Sequence, residues 1–250
     1  AKDAAGNDQE GYSPVHEFEI DMLNPTVSTV VVDTNPVYES DLIQQVVVTF
    51  DEAMGTGTDP TITFGAGTFA SNSDGGWTVG NTIWTETFTL TDNNEEITVV
   101  TVDVADAVDA AGNAQIAYAA VDEFDIDTVK PTITGVSTSD SLITDADTPG
   151  NATFVVTIEF SEDMNTGIAP TVSFSPTVAS TLTLDVTSGW LDSDTYEAKY
   201  DTADGNVDHD NIQIDATGTQ DVAGNLQEDY TPENEFGIDT VNPTVTAVAV

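Results

Sequence analysis

The chain repeats itself, and the repeat decides how every other feature of the sequence is read. The motif Asp-x-Ala-Gly-Asn occurs three times, as Asp3 to Asn7, Asp109 to Asn113 and Asp221 to Asn225. About ten residues after each comes a second block. It reads Glu17-Phe18-Glu19-Ile20-Asp21 leading to Pro25-Thr26, then Glu123-Phe124-Asp125-Ile126-Asp127 leading to Pro131-Thr132, then Glu235-Phe236-Gly237-Ile238-Asp239 leading to Pro243-Thr244. The prolines are 106 and 112 residues apart, so the period is about 110. A third block occurs twice, as Phe50-Asp51-Glu52-Ala53-Met54 and Phe160-Ser161-Glu162-Asp163-Met164. These blocks divide the chain into a C-terminal stub of a preceding repeat (1–23), repeat 1 (24–129), repeat 2 (130–241) and the first strand of a following repeat (242–250). The two flanks are too short to assemble a third domain, so the expectation is a window from a longer array.

Inside each repeat the hydrophobic period is two, the period of a strand. Phe154, Val156, Ile158 and Phe160 alternate with Val155, Thr157 and Glu159, as Val46, Val48 and Phe50 alternate with Val47 and Thr49. Helical periodicity is absent. About seven short strands per repeat, with Gly, Asn, Asp and Pro between them, predict an all-β chain of tandem antiparallel immunoglobulin-like β-sandwiches arranged end to end. Net charge is extreme, at −42, but 39% of the residues are hydrophobic and patterned, which favours folding over disorder. There is no cysteine, which removes disulfides, thiolate metal sites and cysteine nucleophiles together. No apolar run is long enough to span a membrane, and the first ten residues form no signal sequence.

In combination and order, Asp-Thr-Val-Asn-Pro-Thr-Val (239–245), Phe-Ser-Glu-Asp-Met (160–164) and Asp-Val-Ala-Gly-Asn (221–225) resemble the bacterial immunoglobulin-like repeats of giant calcium-binding surface adhesins. The resemblance covers essentially the whole chain. It implies an extracellular, secreted protein of the cell surface whose repeats act as a calcium-stiffened stalk in cell adhesion, a surface filament or a biofilm. Repeat 1 departs from the pattern at Asp51, where repeat 2 has Ser161, and at Ala53, where it has Asp163.

The acids are where chemistry is expected. Forty-five Asp and Glu face three lysines, Lys2, Lys130 and Lys199. Two carboxylates about 4 Å apart repel by roughly 4 kcal/mol at an effective dielectric near 20, so clustered acids point to bound cations. If the first strand starts at the Pro-Thr block, the loop carrying Glu52 or Glu162 and the Asp-x-Ala-Gly-Asn turn return to the pole where the domain begins. The linker aspartate arrives there too. The expected clusters are Asp21, Glu52, Asp103 and Asp109 at the entrance of repeat 1, and Asp127, Glu162, Asp215 and Asp221 at that of repeat 2. Hard oxygen ligands from several loops suit calcium (Ca2+), whereas zinc and copper want nitrogen or sulfur. A second signal lies at the opposite pole. Asp92, Asn94 and Glu96 align with Asp204, Asn206 and Asp208, an oxygen ligand at every second position, although the glycine of a full calcium loop is missing. Glu123 and Asp125 are placed near this pole.

Other functions fit poorly. So negative a surface repels phosphates, which excludes nucleic acid and direct membrane insertion. The histidines, His16 and His209, recur in no other repeat, so a catalytic triad or histidine-metal site has no support and the chain is not expected to be an enzyme. Trp77, Trp190, Phe88, Tyr118 and Tyr230 suit core and edge packing better than a ligand shelf. The leading expectation is a structural spacer or extender whose partners are neighbouring repeats of the same chain. The alternative is a carbohydrate- or protein-binding adhesion module, with a surface glycan or lateral homotypic contacts as partners and a shallow site near Trp77 or Trp84.

Overall fold

The computed structural model describes residues 1–248 except Tyr12, Pro14, His16, Glu17, Ser73 and Asp74. The first unit contains β1 (Val27–Val32), β2 (Val37–Tyr38), β3 (Ile43–Phe50), β4 (Thr61–Phe64), β5 (Phe69–Ser71), β6 (Gly76–Thr78), β7 (Ile83–Leu90), β8 (Glu96–Ala105) and β9 (Asp122–Asp127). The second contains β10 (Ile133–Thr138), β11 (Leu142–Thr144), a 3-10 turn (Asp145–Asp147), β12 (Gly150–Phe160), β13 (Thr171–Ser175), β14 (Leu182–Leu184), β15 (Gly189–Trp190), β16 (Thr195–Thr202), β17 (Asp208–Thr217) and β18 (Asn234–Asp239). No α-helix occurs among the described residues.

Each unit is a two-sheet sandwich. In the first, β1-β3-β7-β5, with β6 also on β7, faces β2-β9-β8-β4. In the second, β10-β12-β16-β14, with β15 on β16, faces β11-β18-β17-β13. Neighbours pair antiparallel except where the first segment crosses to the other sheet, so that β2 and β11 run parallel to β9 and β18. That crossing is the immunoglobulin-like arrangement, and the chain is a tandem of such β-sandwiches.

The alternation in sequence is the alternation in burial. On β12 Phe154, Val156, Ile158 and Phe160 point inward, and on β3 Val46, Val48 and Phe50 do so. Each such side chain contributes about 1.5–3 kcal/mol when fully buried. Two separate cores result, one per sandwich. The aromatics belong to them. Trp84 and Phe88 are buried, Trp77 packs on Phe50 and Trp84, and Trp190 packs on Phe160 and Tyr196. Tyr118 packs against the first core, while half-buried Tyr230 meets Glu235. Among the described residues, the first 23 positions carry one isolated bridge, Lys2 to Asp8, and no named strand, and none lies beyond Asp239.

Five residues separate β9 from β10, and they are tied at both ends. The Thr128 N–H donates to the Glu95 carbonyl and the Thr128 hydroxyl accepts the Glu95 N–H, and the Lys130 ammonium meets Glu39 at 2.7 Å.

Candidate metal centre at the repeat junction

The site is built by the same local device in each repeat. After β12 the chain turns through Ser161-Glu162-Asp163, and the thioether of Met164 plugs the bottom of the core at 2% exposure. Met164 then bridges to Asp221, which holds Glu162 beside the Asp221 turn. That turn is organised by its own first residue. Asp221 Oδ1 accepts the N–H groups of Gly224 at 2.6 Å and Asn225 at 2.9 Å, while Oδ2 accepts Asn225 Nδ2 at 2.8 Å. Gly224 has φ of +112°, a conformation in which any side chain is strained. Repeat 1 copies this. Met54 bridges to Asp109, and Asp109 accepts from Ala111, Gly112 and Asn113.

The linker aspartate completes each group. Asp127, Glu162 and Asp221 bring one carboxylate oxygen each to within 4.8 Å of one another, as do Asp21, Glu52 and Asp109. Burial followed by the charges of Asp221, Asp127, Glu96 and Asp163 pushes Glu162 up to about 7. Burial also raises Asp127, with Asp221 and Glu96 adding to it against a bond from the Val129 N–H. Glu52 is raised for the same kinds of reason, burial first and then Asp21, Asp109 and Asp51. Asp109 behaves oppositely: burial pushes it up, but the bonds from Asn113, Gly112 and Ala111 outweigh this and hold it below the usual range.

The other expected residues go elsewhere. Asp103 and Asp215 lie within β8 and β17, opposite Thr63 and Ser173, and neither joins its triplet. Asp215 keeps a buried Oδ1 without a partner. Asp92 and Asp204 cap turns, accepting the N–H of Asn94 at 2.8 Å and Asn206 at 2.9 Å, and both asparagines take positive φ. No third carboxylate group converges there among the described residues. Glu96 opens β8 opposite Asp127, and Asp208 opens β17 opposite Asp239. Glu96 therefore belongs electrostatically to the Asp127 junction, because the far pole of one sandwich abuts the entrance of the next. Glu123 accepts the Tyr118 hydroxyl at 3.1 Å, and the Asp125 N–H is tied to Asn35. Asp125 also borders a groove of about 190 Å³ between the repeats, walled by Pro36, Ile97, Ile126, Val222 and Ala223.

Sequence reasoning treated Asn225 only as part of a turn. In the structure it is fully buried between repeats, donating to the Asp127 carbonyl at 2.9 Å and accepting the Glu39 N–H at 2.8 Å. The signal available was its recurrence as Asn7, Asn113 and Asn225.

The donor set fits a hard cation. Three carboxylates from two repeats converge with only oxygen ligands, and the one lysine of the junction is engaged by Glu39.

No protein-family model and no curated protein matches the chain. Among solved structures, an I-band fragment of titin is similar over 88% of this chain and 66% of its own length, with 10% identity and a TM-score of 0.39. Tandem immunoglobulin repeats of Dlar are similar over 86% of this chain and 97% of theirs, with 10% identity and a TM-score of 0.21. The chain thus spans just under two thirds of the titin fragment, and it is the strand topology that makes both units immunoglobulin-like sandwiches.

Proposed function

We propose that these repeats are spacers of a long extracellular surface adhesin or filament, stiffened by calcium at the junctions. The observation that carries the reading is the Asp127, Glu162 and Asp221 group, in which one carboxylate comes from the end of repeat 1 and two from repeat 2. Calcium bound by these three would supply the positive charge that the carboxylate cluster lacks and tie the linker to the loops of the next sandwich. The chain's own residues prepare that site. Met164 anchors the loop of Glu162, the Asp221 turn is fixed by backbone N–H groups, and Asn225 holds the Asp127 carbonyl so that its carboxylate stays at the cluster. Asp21, Glu52 and Asp109 would do the same at the preceding junction.

In this reading the chain has no catalytic role, its partners are neighbouring repeats, and it works at the cell surface. Extracellular calcium modules often bind at about 10⁻⁴ to 10⁻³ M, so millimolar calcium would hold the rod stiff and a low-calcium compartment would leave it pliable. The test compares melting temperature and solution scattering in millimolar calcium and in chelator. At a concentration 100 times the dissociation constant, each site is expected to stabilise the fold by about 2.7 kcal/mol, with a longer and narrower particle. Identical melting and identical dimensions in both buffers would remove calcium from the mechanism.

A further inference from the structure

We infer that the asparagine closing each Asp-x-Ala-Gly-Asn turn is an inter-repeat recognition residue, and that Asn113 presents a half-made contact whose partner is the β2-type corner of another immunoglobulin-like repeat. The inference rests on the tandem-repeat reading but not on calcium.

The Asn225 side chain reads two backbone groups of the preceding sandwich at once. Its Nδ2 donates to the carbonyl of Asp127, the last residue of β9, and its Oδ1 accepts the N–H of Glu39, the residue after β2. Those two groups stand side by side because β2 runs parallel to β9 with Tyr38 opposite Asp127. A carboxamide carries a donor and an acceptor on one planar head, which a carboxylate, a hydroxyl or an ammonium does not offer in that geometry. The amide is aimed from below by Asp221, and Tyr38 lies against Gly224, where a Cβ would come within 3.1 Å of its ring. Partner and turn therefore meet through a fixed donor-acceptor pair and a close backbone approach.

Asn113 has the same bonds within its own turn, Nδ2 to Asp109 Oδ2 at 2.7 Å and its N–H to Oδ1 at 2.8 Å. Its outward reach is incomplete. Nδ2 approaches the Asp21 carbonyl at 3.4 Å, and no donor among the described residues reaches its Oδ1. Among the described residues before β1 there is the linker aspartate but no β2-type strand, so one of the two contacts is made. The complementary half stands at the other end of repeat 2, where β11 runs parallel to β18 with Thr144 opposite Asp239. Asp145 and Asp239 there occupy the positions of Glu39 and Asp127.

The whole chain, which has no cysteine, takes two spin labels at introduced cysteines, Thr63→Cys in repeat 1 and Thr183→Cys in repeat 2, and the distance distribution is measured in chelator. Asn225→Ala is expected to broaden the distribution and to speed exchange of the Glu39 amide proton about tenfold or more. Asn113→Ala removes the same bonds within the turn and is expected to change neither reading. If Asn225→Ala does not fold, Asn225→Asp keeps the side-chain shape and deletes the donor, with Asn113→Asp as the control for added charge beside an acidic cluster. No broadening for the residue 225 variants, or equal broadening for the residue 113 variants, would overturn the inference. A wild-type distribution that calcium leaves unchanged would instead count against the calcium reading and leave this one standing.

Discussion

Replacing Glu162 by glutamine is expected to make the metal-free chain more stable at neutral pH, with most of that gain lost by pH 5. Glu162 ionises near 4.5 in an unfolded chain and at about 7 in the folded one. Below the first value it is protonated in both states. Between the two values the folded state holds a proton that the unfolded state has released, so stability falls as pH rises. Above about 7 the group is charged in both states, and the whole penalty persists. The separation would correspond to about 3 kcal/mol if unscreened. Because the carboxyl is only half-buried, solvent screening reduces this to about 1–2 kcal/mol. Asp127, raised by burial and by Asp221 and Glu96, adds in the same direction. A domain of this size shifts by about 4–8 °C per kcal/mol, so Glu162→Gln is expected to raise the repeat 2 transition by roughly 5–10 °C at pH 8. The assay is scanning calorimetry in chelator at pH 5, 6, 7 and 8, a range chosen to lie above the ordinary carboxylates. The wild type should lose stability across that series and the variant should lose much less. An equal gap between the two proteins at pH 5 and pH 8 would show that the cluster does not repel as described.

Two further outcomes follow from the packing. Gly224→Ala places a Cβ at φ +112° and 3.1 Å from the Tyr38 ring, whereas Gly112→Ala at φ +98° meets nothing within 4 Å. Denaturant titration should show both losing about 1 kcal/mol to backbone strain, with a further loss at Gly224 that measures the junction contact. Phe154→Ala, at a site 2% exposed and packed on Tyr200 and Phe236, should cost about 3–5 kcal/mol in repeat 2. The repeat 1 transition should stay in place, because the two cores share no buried residue.

The sheet sandwiches were legible because burial on one face imposes a period of two, and Phe154 to Phe160 display it without interruption. The meeting of Asp127, Glu162 and Asp221 was legible for a topological reason. Once strand order is known, the loop after β12 and the turn before β18 must return to one pole. Asp103 and Asp215 were placed there on spacing alone, and spacing does not say where along a ten-residue strand a side chain sits. Glu96 was assigned to a separate loop. Reading each repeat as a closed object hid the fact that its far pole is its neighbour's near one. Asn225 was missed because its partners are a carbonyl and an N–H, which leave no trace in side-chain identity. The strap between Lys130 and Glu39 was hidden for the opposite reason: neither residue recurs, since the positions of Lys130 in the other blocks hold Asn24 and Asn242.

The parallel pairing of β2 with β9 and of β11 with β18 acquires a mechanical meaning when the chain is pulled along its length. Tension enters each sandwich through its first segment and leaves through its last strand, so the two partners of that pairing are drawn past each other. The ladder is then loaded sideways, and its bonds must fail together instead of peeling one at a time. The patch spans Val37 and Tyr38 in repeat 1 and Leu142 to Thr144 in repeat 2. With one residue pair fewer in that patch, repeat 1 would be the weaker of the two under load, and the first to lengthen, if the repeats serve as the spacers proposed above.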